Sequence, residues 1–367
     1  MSDRLIRSSR PYFPKEDIDS ILKDIRKVLE EGALRNGRNL LEFERMFADY
    51  IGLKNAVAFD SDGDALETAL RYFGVEGKEV VVCTNSFVSI PNSVVYAGGR
   101  VVFADIRADT LSMNHESLRD SISDKTCGVV VTHIAGFPNP DLNEIIEICN
   151  EHGLFLIEDA THAAGAMIDG VKVGTFGEAA VFAFTPTKVL TTGEGGMLVT
   201  NDANLTEKAR RFRYYGSGTG KTEFVDLGRH MMLPEISAVL GIHQLRRLDE
   251  FIAKRNLIAR IYDERLSQLD SVSIVRLASG YRSSYYKYPL TLAGNIETTK
   301  FAELLKEVYQ VETGNVFYPP CHMQATYKRN RSVRERKLPI ASEVLVRTIT
   351  LPIHAAMEPE TARLVVL

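Results

Sequence analysis

Three segments hold residue types that could do chemistry. In LFLIEDATHAAGA (154–166), Asp159 stands just past the carboxyl end of an expected buried strand, the edge at which ligands of parallel sheets bind. A carboxylate there can hold a protonated ring nitrogen or a metal, or it can cap the next turn. Glu158 alternates to the other face and reads as structural. In FAFTPTKVLTTGEGG (182–196), Lys188 follows a strand among apolar and small neighbours. A lysine partly removed from water loses its proton more easily and can form a Schiff base; the alternative is a surface lysine with its stem laid on the protein. The glycines after it shape a turn, because no GxxxxGK[ST] is present. In FDSDGDALETALRYF (59–73), a strand end, a turn and a helix follow one another. Helix N-termini bind anions through free amides, and Ser61 and Gly63 suit such a cup. Asp64-x-x-Glu67 also reads as a capping box, with the protein's own carboxylates at the cap.

The elements that must position these residues follow from apolar periodicity. Residues 14–31 read as a helix opened by Pro14 and stopped by Gly32, with Ile18, Ile21, Leu22, Ile25, Val28 and Leu29 at 3.6-residue spacing. A second helix over 39–51 sets Leu40, Phe43, Phe47 and Ile51 on one face. Between 56 and 200 come short, nearly continuous apolar runs: VVVC (80–83), VVFA (101–104), VVVT (129–132), LFLI (154–157), AVFAF (180–184) and MLVT (197–200). Most are separated by helices or turns, which predicts an α/β fold with a largely parallel sheet buried on both faces. MLVT follows the GEGG turn with no helix between and is expected to pair antiparallel with AVFAF. A helix over 140–152 starts at Pro140 with Leu142, Ile145, Ile146 and Cys149 inward. A long helical pattern runs from Pro234 to Leu266, with a change of domain expected near Arg255 to Arg260. Weaker strands (271–275, 285–292) and a helix near 299–309 follow, so a large domain over 1–250 and a smaller α+β domain over 251–367 are expected.

Composition narrows the classes. The chain has 367 residues, 45% hydrophobic and 25% charged, enough to build a core without staples. Forty-four basic against 48 acidic residues give a net charge of −4, with no basic excess for nucleic acid. The four cysteines, Cys83, Cys127, Cys149 and Cys321, show no CxxC spacing, so neither a disulfide framework nor a metal site is expected. The first residues, MSDRLIRSSRPYFPKED, show no apolar signal core, and no apolar run reaches the ~18 residues of a membrane span. A cytoplasmic globular protein is expected.

In this order the segments resemble the DegT/DnrJ/EryC1/StrS family, the sugar-aminotransferase branch of fold type I pyridoxal-phosphate enzymes. The resemblance runs nearly end to end, through SRPYFPKEDI (9–18), LLEFERMFADYIG (40–52), NSFVSIPNSVVYAGGRVVFADI (85–106), HIAGFP (133–138), IEDATHAAGA (157–166), FTPTKVLTTGEGGMLVTND (184–202), EISAVLGIHQLRRLDEF (235–251), YPPCHMQATY (318–327) and LPIH (351–354). It implies that Lys188 forms the Schiff base with pyridoxal 5′-phosphate and carries protons, and that Asp159 pairs with the ring nitrogen. His162 is implied at the phenolic oxygen and Phe87 stacked on the ring. Tyr318 and His322 are implied on the substrate side. It further implies two half-reactions through pyridoxamine phosphate, from glutamate or a similar donor to a nucleotide-linked keto sugar. A homodimer with a site shared across its interface is the expected assembly.

The departures gather at the phosphate. The family's Ser-Gly-Thr-Ala reads Ser61-Asp62-Gly63-Asp64, its phosphate-contacting serine is Ala183, and its Asn and Arg in G-x-N-x-R are His230 and Met232. Asp62, Gly63, Ala183 and His230 are therefore the expected phosphate-end residues, with His230 or Arg229 as a substitute donor. Two other readings stay open: a sugar dehydratase, against which Lys188 argues, and a non-catalytic sensor on the same fold. A nicotinamide dehydrogenase is excluded because no GxGxxG follows an early strand.

Overall fold

The computed structural model describes residues 5–218 and 222–367. Helix α1 (Lys15–Glu31) closes at Gly32, whose φ of 67° is a left-handed cap open to glycine without steric cost. Of its six periodic apolar residues, Ile21 and Val28 are buried, while Ile18, Leu22 and Leu29 are 40%, 58% and 59% exposed. Helix α2 (Arg38–Ile51) buries Leu40, Phe43, Phe47 and Ile51 as its spacing requires. Its first turn is tied across the fold: Glu235 accepts hydrogen bonds from the amides of Gly37, Asn39 and Leu40 at 2.9 to 3.0 Å.

The strands are β1 (Asn55–Phe59), β2 (Glu79–Cys83), β3 (Arg100–Ala104), β4 (Thr126–Thr132), β5 (Phe155–Asp159), β6 (Met167–Ile168), β7 (Val171–Lys172), β8 (Ala179–Ala183), β9 (Gly196–Thr200), β10 (Val272–Ile274), β11 (Tyr281–Arg282), β12 (Tyr288–Leu292), β13 (Val333–Arg334) and β14 (Thr348–Leu351). Eight of them form the central sheet in the order β1-β9-β8-β5-β4-β2-β3-β13. All its pairs are parallel except those of β9, which runs antiparallel to both β1 and β8. The register sets Asp159 opposite Thr132 on β4 and Val181 on β8.

Side-chain alternation divides the core. Val57, Phe59, Val80 and Val82 pack with α3 (Asp62–Tyr72), α4 (Ser89–Tyr96) and α7 (Ala203–Phe212). Ala56, Ala58, Phe182 and Phe184 face α2 and α8 (Glu235–Leu266). Strands buried on both faces are what continuous apolar runs encode.

The helix expected over 140–152 is corrected. Helix α6 (Leu142–His152) starts at the Asp141 N-cap, two residues later than Pro140, and buries Ile148 where Ile146 was expected. Helix α8 runs unbroken through 255–260, as the apolar pattern from Pro234 to Leu266 requires. After α8 the chain forms the β10-β12-β14 sheet, then returns β13 to the edge of the central sheet beside β3. Cys127 is half-buried, whereas Cys83, Cys149 and Cys321 are buried, and all four are free. Among the described residues no helix is long and apolar enough to cross a membrane.

Candidate active site

Asp159 ends β5 and is 1% exposed. Thr132 Oγ1 donates to its Oδ2 at 2.9 Å and the Thr161 amide to its Oδ1 at 3.2 Å. Burial pushes its pKa up, the two threonine contacts oppose this, and the nearby Asp62 carboxylate pushes it further up. A buried carboxylate at a strand's carboxyl end, with no cation among its contacts, is set to receive one from a ligand. Glu158 points the other way, accepting from the amides of Gly174, Phe176 and Gly177 and bonding His133 Nε2 at 2.9 Å, a structural anchor.

His162 is 3% exposed. Burial, then Lys188 and Lys287, hold its pKa well below 6.5, so the ring is neutral. The Ala135 amide donates to Nδ1 at 3.1 Å. With Nδ1 an acceptor, the one proton sits on Nε2, which is free to donate to a ligand oxygen. The ring lies 4.3 Å from Tyr286 and 5.4 Å from Phe317, centroid to centroid.

Lys188, on the loop after β8, is half-buried, with Nζ 4.6 Å from the Tyr286 ring centroid. Among the described residues no carboxylate lies within salt-bridge distance of it. Phe87 is 52% exposed, 5.6 Å from Phe317, leaving one aromatic surface uncovered.

Sequence reasoning missed Tyr286, Lys287 and Phe317. Tyr286 and Lys287 arrive on a segment docked against 135–136, where the Ser284 amide donates to Gly136 O and the Lys287 amide to Ala135 O, both at 3.0 Å, and Phe317 comes from a separate, later stretch. A Cβ on Gly136 would lie 2.5 Å from Ser284 Oγ and 2.8 Å from the Tyr286 amide, so glycine permits the approach. Buried Arg255 holds the same segment by donating to Tyr285 O at 3.0 Å and Ile353 O at 2.9 Å. Ala135, Tyr285 and Phe317 all have left-handed φ, of 57°, 46° and 56°. Non-glycine residues in that region cost on the order of 1–3 kcal/mol each and gather at functional sites. Only tertiary contact brings these residues to Lys188, and no local motif marks them.

The other end of the site is α3. Its N-cap is Ser61: Ser61 Oγ accepts from the Asp64 amide at 3.1 Å and donates to Asp64 Oδ2 at 2.7 Å. The capping box is thus Ser61-x-x-Asp64, correcting Asp64-x-x-Glu67. Glu67 instead binds Arg71 at 2.8 Å and Arg229, and Arg229 also lies 3.7 Å from Asp64. Arg229 is therefore already engaged by carboxylates. Asp62 Oδ2 accepts from Ser89 Oγ at 2.9 Å. Asp60 is pushed up to about 6 by burial and by Asp64. Among the described residues the amides of Asp62 and Gly63 have no acceptor. Ala183 ends β8, paired to Gly196.

The remaining expected residues lie around this centre. His230 is exposed, bridged to Tyr214 with its ring 5.6 Å from Tyr215. Tyr318 is 39% exposed, directly after Phe317. His322 Nδ1 bonds Thr84 Oγ1 at 2.7 Å and Nε2 bonds Ser342 Oγ at 3.1 Å, so both ring nitrogens are taken.

These residues fit the ring of a pyridoxal cofactor: a buried acid for a ring nitrogen, a fixed N–H for the phenolic oxygen, an open aromatic face and an uncompensated lysine. At α3 two amides remain free for phosphate, but positions 63 and 183 hold no hydroxyl and Asp62 adds a negative charge.

The comparisons agree with this geometry. GDP-perosamine synthase of Caulobacter vibrioides is 33% identical over 88% of this chain and 86% of its own. Helicobacter pylori PseC, an aminotransferase involved in pseudoaminic acid biosynthesis, superposes with a TM-score of 0.91 at 28% identity, covering 99% of this chain and 97% of its own. S. venezuelae DesV, solved with a ketimine intermediate, gives 0.90 at 27% identity, covering 98% and 97%. The sequence model of the DegT/DnrJ/EryC1/StrS aminotransferase family matches residues 15–367, and with an intact lysine and strand-end aspartate in place, this chain belongs to that family.

Proposed function

We propose that this protein is a pyridoxal-phosphate-dependent aminotransferase that moves an amino group from an amino-acid donor such as glutamate to the carbonyl of a keto sugar carried on a nucleotide. The observation that carries the reading is His162 and Lys188 meeting on the Tyr286 ring, with His162 three residues beyond buried Asp159 at the carboxyl edge of the sheet. Bound there, the cofactor supplies an electron sink.

The chain's own residues supply the rest. Lys188 would hold the cofactor through Nζ and, freed when the donor's amine takes its place, would carry the proton that moves between substrate carbon and cofactor. Asp159 would keep the proton on the ring nitrogen, Nε2–H of His162 would donate to the phenolic oxygen, and Phe87 would cover one ring face. The amides of Asp62 and Gly63, beside Ala183, would hold the phosphate. His230 and Tyr318, both exposed, would face a partner subunit or the substrate, whereas part-buried His322 bonds Thr84 and Ser342.

The purified protein with pyridoxal phosphate is expected to absorb in the visible, to lose that band on borohydride treatment, and to release 2-oxoglutarate from glutamate when a nucleotide-linked keto sugar is supplied. A protein that stays colourless and releases none at any cofactor concentration defeats the reading.

We also propose a homodimer. Ile18, Leu22, Leu29, Leu34 and Leu41 are exposed apolar residues on the first two helices and the turn between them, and exposed apolar patches mark interfaces. Sedimentation at micromolar concentration is expected to show two chains, and a single chain overturns it.

A further inference from the structure

Lys287 is the second ammonium group at this site, and the roles set out above leave it unused. Its Nζ lies 5.7 Å from the Tyr286 ring centroid and 5.3 Å from that of Phe317, and donates to Asn315 O at 2.6 Å. Lys188 approaches the same Tyr286 ring at 4.6 Å. Tyr286 OH bonds Thr187 Oγ1 at 3.0 Å, so one phenol stands between the two lysines and the loop that bears Lys188. Among the described residues no carboxylate lies within salt-bridge distance of either ammonium.

Several of the protein's buried and half-buried cations are neutralised by carboxylates. Arg213 meets Glu44, Arg334 meets Glu79, and Arg107 meets Asp141. Buried Arg255 is instead held by backbone carbonyls, and among the described residues the lysine pair has neither a carboxylate nor such an enclosing set. Burial and the charge on Lys188 both push the pKa of Lys287 down, and Lys287 helps keep His162 neutral. Two like charges beside one aromatic ring, with a neutral histidine next to them, make a positive space without its anion. Lys188 would be taken up in holding the cofactor, which leaves Lys287 as the ammonium free to meet a ligand.

We propose that Lys287 binds a carboxylate of the amino donor and so orients the donor's amine toward the carbon that Lys188 addresses. The proposal rests on the aminotransferase reading. A diphosphate is the other anion such a reaction offers, but it lies a whole sugar ring away from the reacting carbon, whereas an amino acid's carboxylate lies one bond from the carbon bearing its amine. Arg255 fixes the backbone of the segment from below, so the position of Lys287 does not depend on a ligand.

The test uses the cofactor-loaded protein with Lys287→Met and Lys287→Arg. The donor half-reaction is followed by visible absorbance in glutamate alone, and glutarate, a dicarboxylate with no amine, is titrated by calorimetry. Lys287→Met is expected to raise the half-saturating glutamate concentration and weaken glutarate binding by roughly 10- to 100-fold, the worth of a charged hydrogen bond. The half-saturating concentration of the keto sugar is expected to stay within threefold, and Lys287→Arg to recover most of the loss. Changes under threefold for both glutamate and glutarate, with wild-type turnover intact, overturn the carboxylate role. A loss confined to the keto sugar also overturns it and assigns Lys287 to the acceptor. Absence of any amine transfer by the wild-type protein is a separate result, and it defeats the aminotransferase reading itself.

Discussion

Lys188→Ala is expected to lower turnover by on the order of 10⁴-fold, because one side chain supplies both the bond to the cofactor and the proton carrier. The fold should hardly notice. Lys188 is half-buried and its described contact is the Tyr286 ring at 4.6 Å, a cation–π pair worth about 0.5–1 kcal/mol. Thermal unfolding midpoints of the two proteins should therefore nearly coincide while activity does not. Lys188→Arg is expected to fail as completely, since guanidinium keeps the charge but stays protonated and cannot act as nucleophile or base. Borohydride treatment followed by peptide mass analysis gives a readout independent of turnover: the wild-type protein gains a cofactor adduct on the peptide containing residue 188, and Lys188→Ala gains none. A variant retaining turnover within tenfold of wild type would place the chemistry on another residue.

The site divides cleanly into what the sequence discloses and what it does not. Asp159 is legible because a continuous apolar run ends at Ile157 and leaves two acids behind it. Strand alternation then sends Glu158 to the amides of 174–177 and Asp159 to the threonines. The antiparallel turn between β8 and β9 is legible from the GEGG segment, with no room for a crossover. Tyr286 and Lys287 are not legible. YYKYPLTL reads as an ordinary strand, and its first residues reach Lys188 because Gly136 lets the segment approach and Arg255 pins it. Nor does periodicity tell what covers a helix. The six apolar residues of α1 keep their spacing, yet Leu22 and Leu29 stay more than half exposed. The cap of α3 was misjudged for a similar reason: Asp64 is held by Ser61, and Glu67 is drawn away by Arg229, a residue far along the chain.

Asp62→Gly is expected to tighten pyridoxal phosphate binding on the order of 100-fold. The phosphate is a dianion, and the resemblance seats it at the first turn of α3, where the Asp62 and Gly63 amides are free. Ser89 Oγ fixes the Asp62 carboxylate in that turn at 2.9 Å. A like charge ~6 Å from a dianion costs about 5 kcal/mol at an effective dielectric of ~20, roughly halved by solvent at this part-exposed turn, against about 0.3–1 kcal/mol returned by the helix dipole. Removing the carboxylate also lowers the pKa of Asp159, which Asp62 raises, and so favours the charged acid that pairs with a protonated ring nitrogen. Helix α3 loses an acidic first-turn residue and becomes slightly less stable, so general tightening of the fold cannot mimic the result. The control is pyridoxal, which lacks the phosphate. Titrated by visible absorbance, wild-type protein is expected to prefer the phosphate ester by less than tenfold, and Asp62→Gly to widen that preference while binding pyridoxal as before. Adding Gly63→Thr, which the space around Gly63 admits with no atom nearer than 3.7 Å to its new Cβ, should widen it again. Equal preference in wild type and Asp62→Gly would mean that the carboxylate faces away from the phosphate and that this chain anchors its cofactor through other groups.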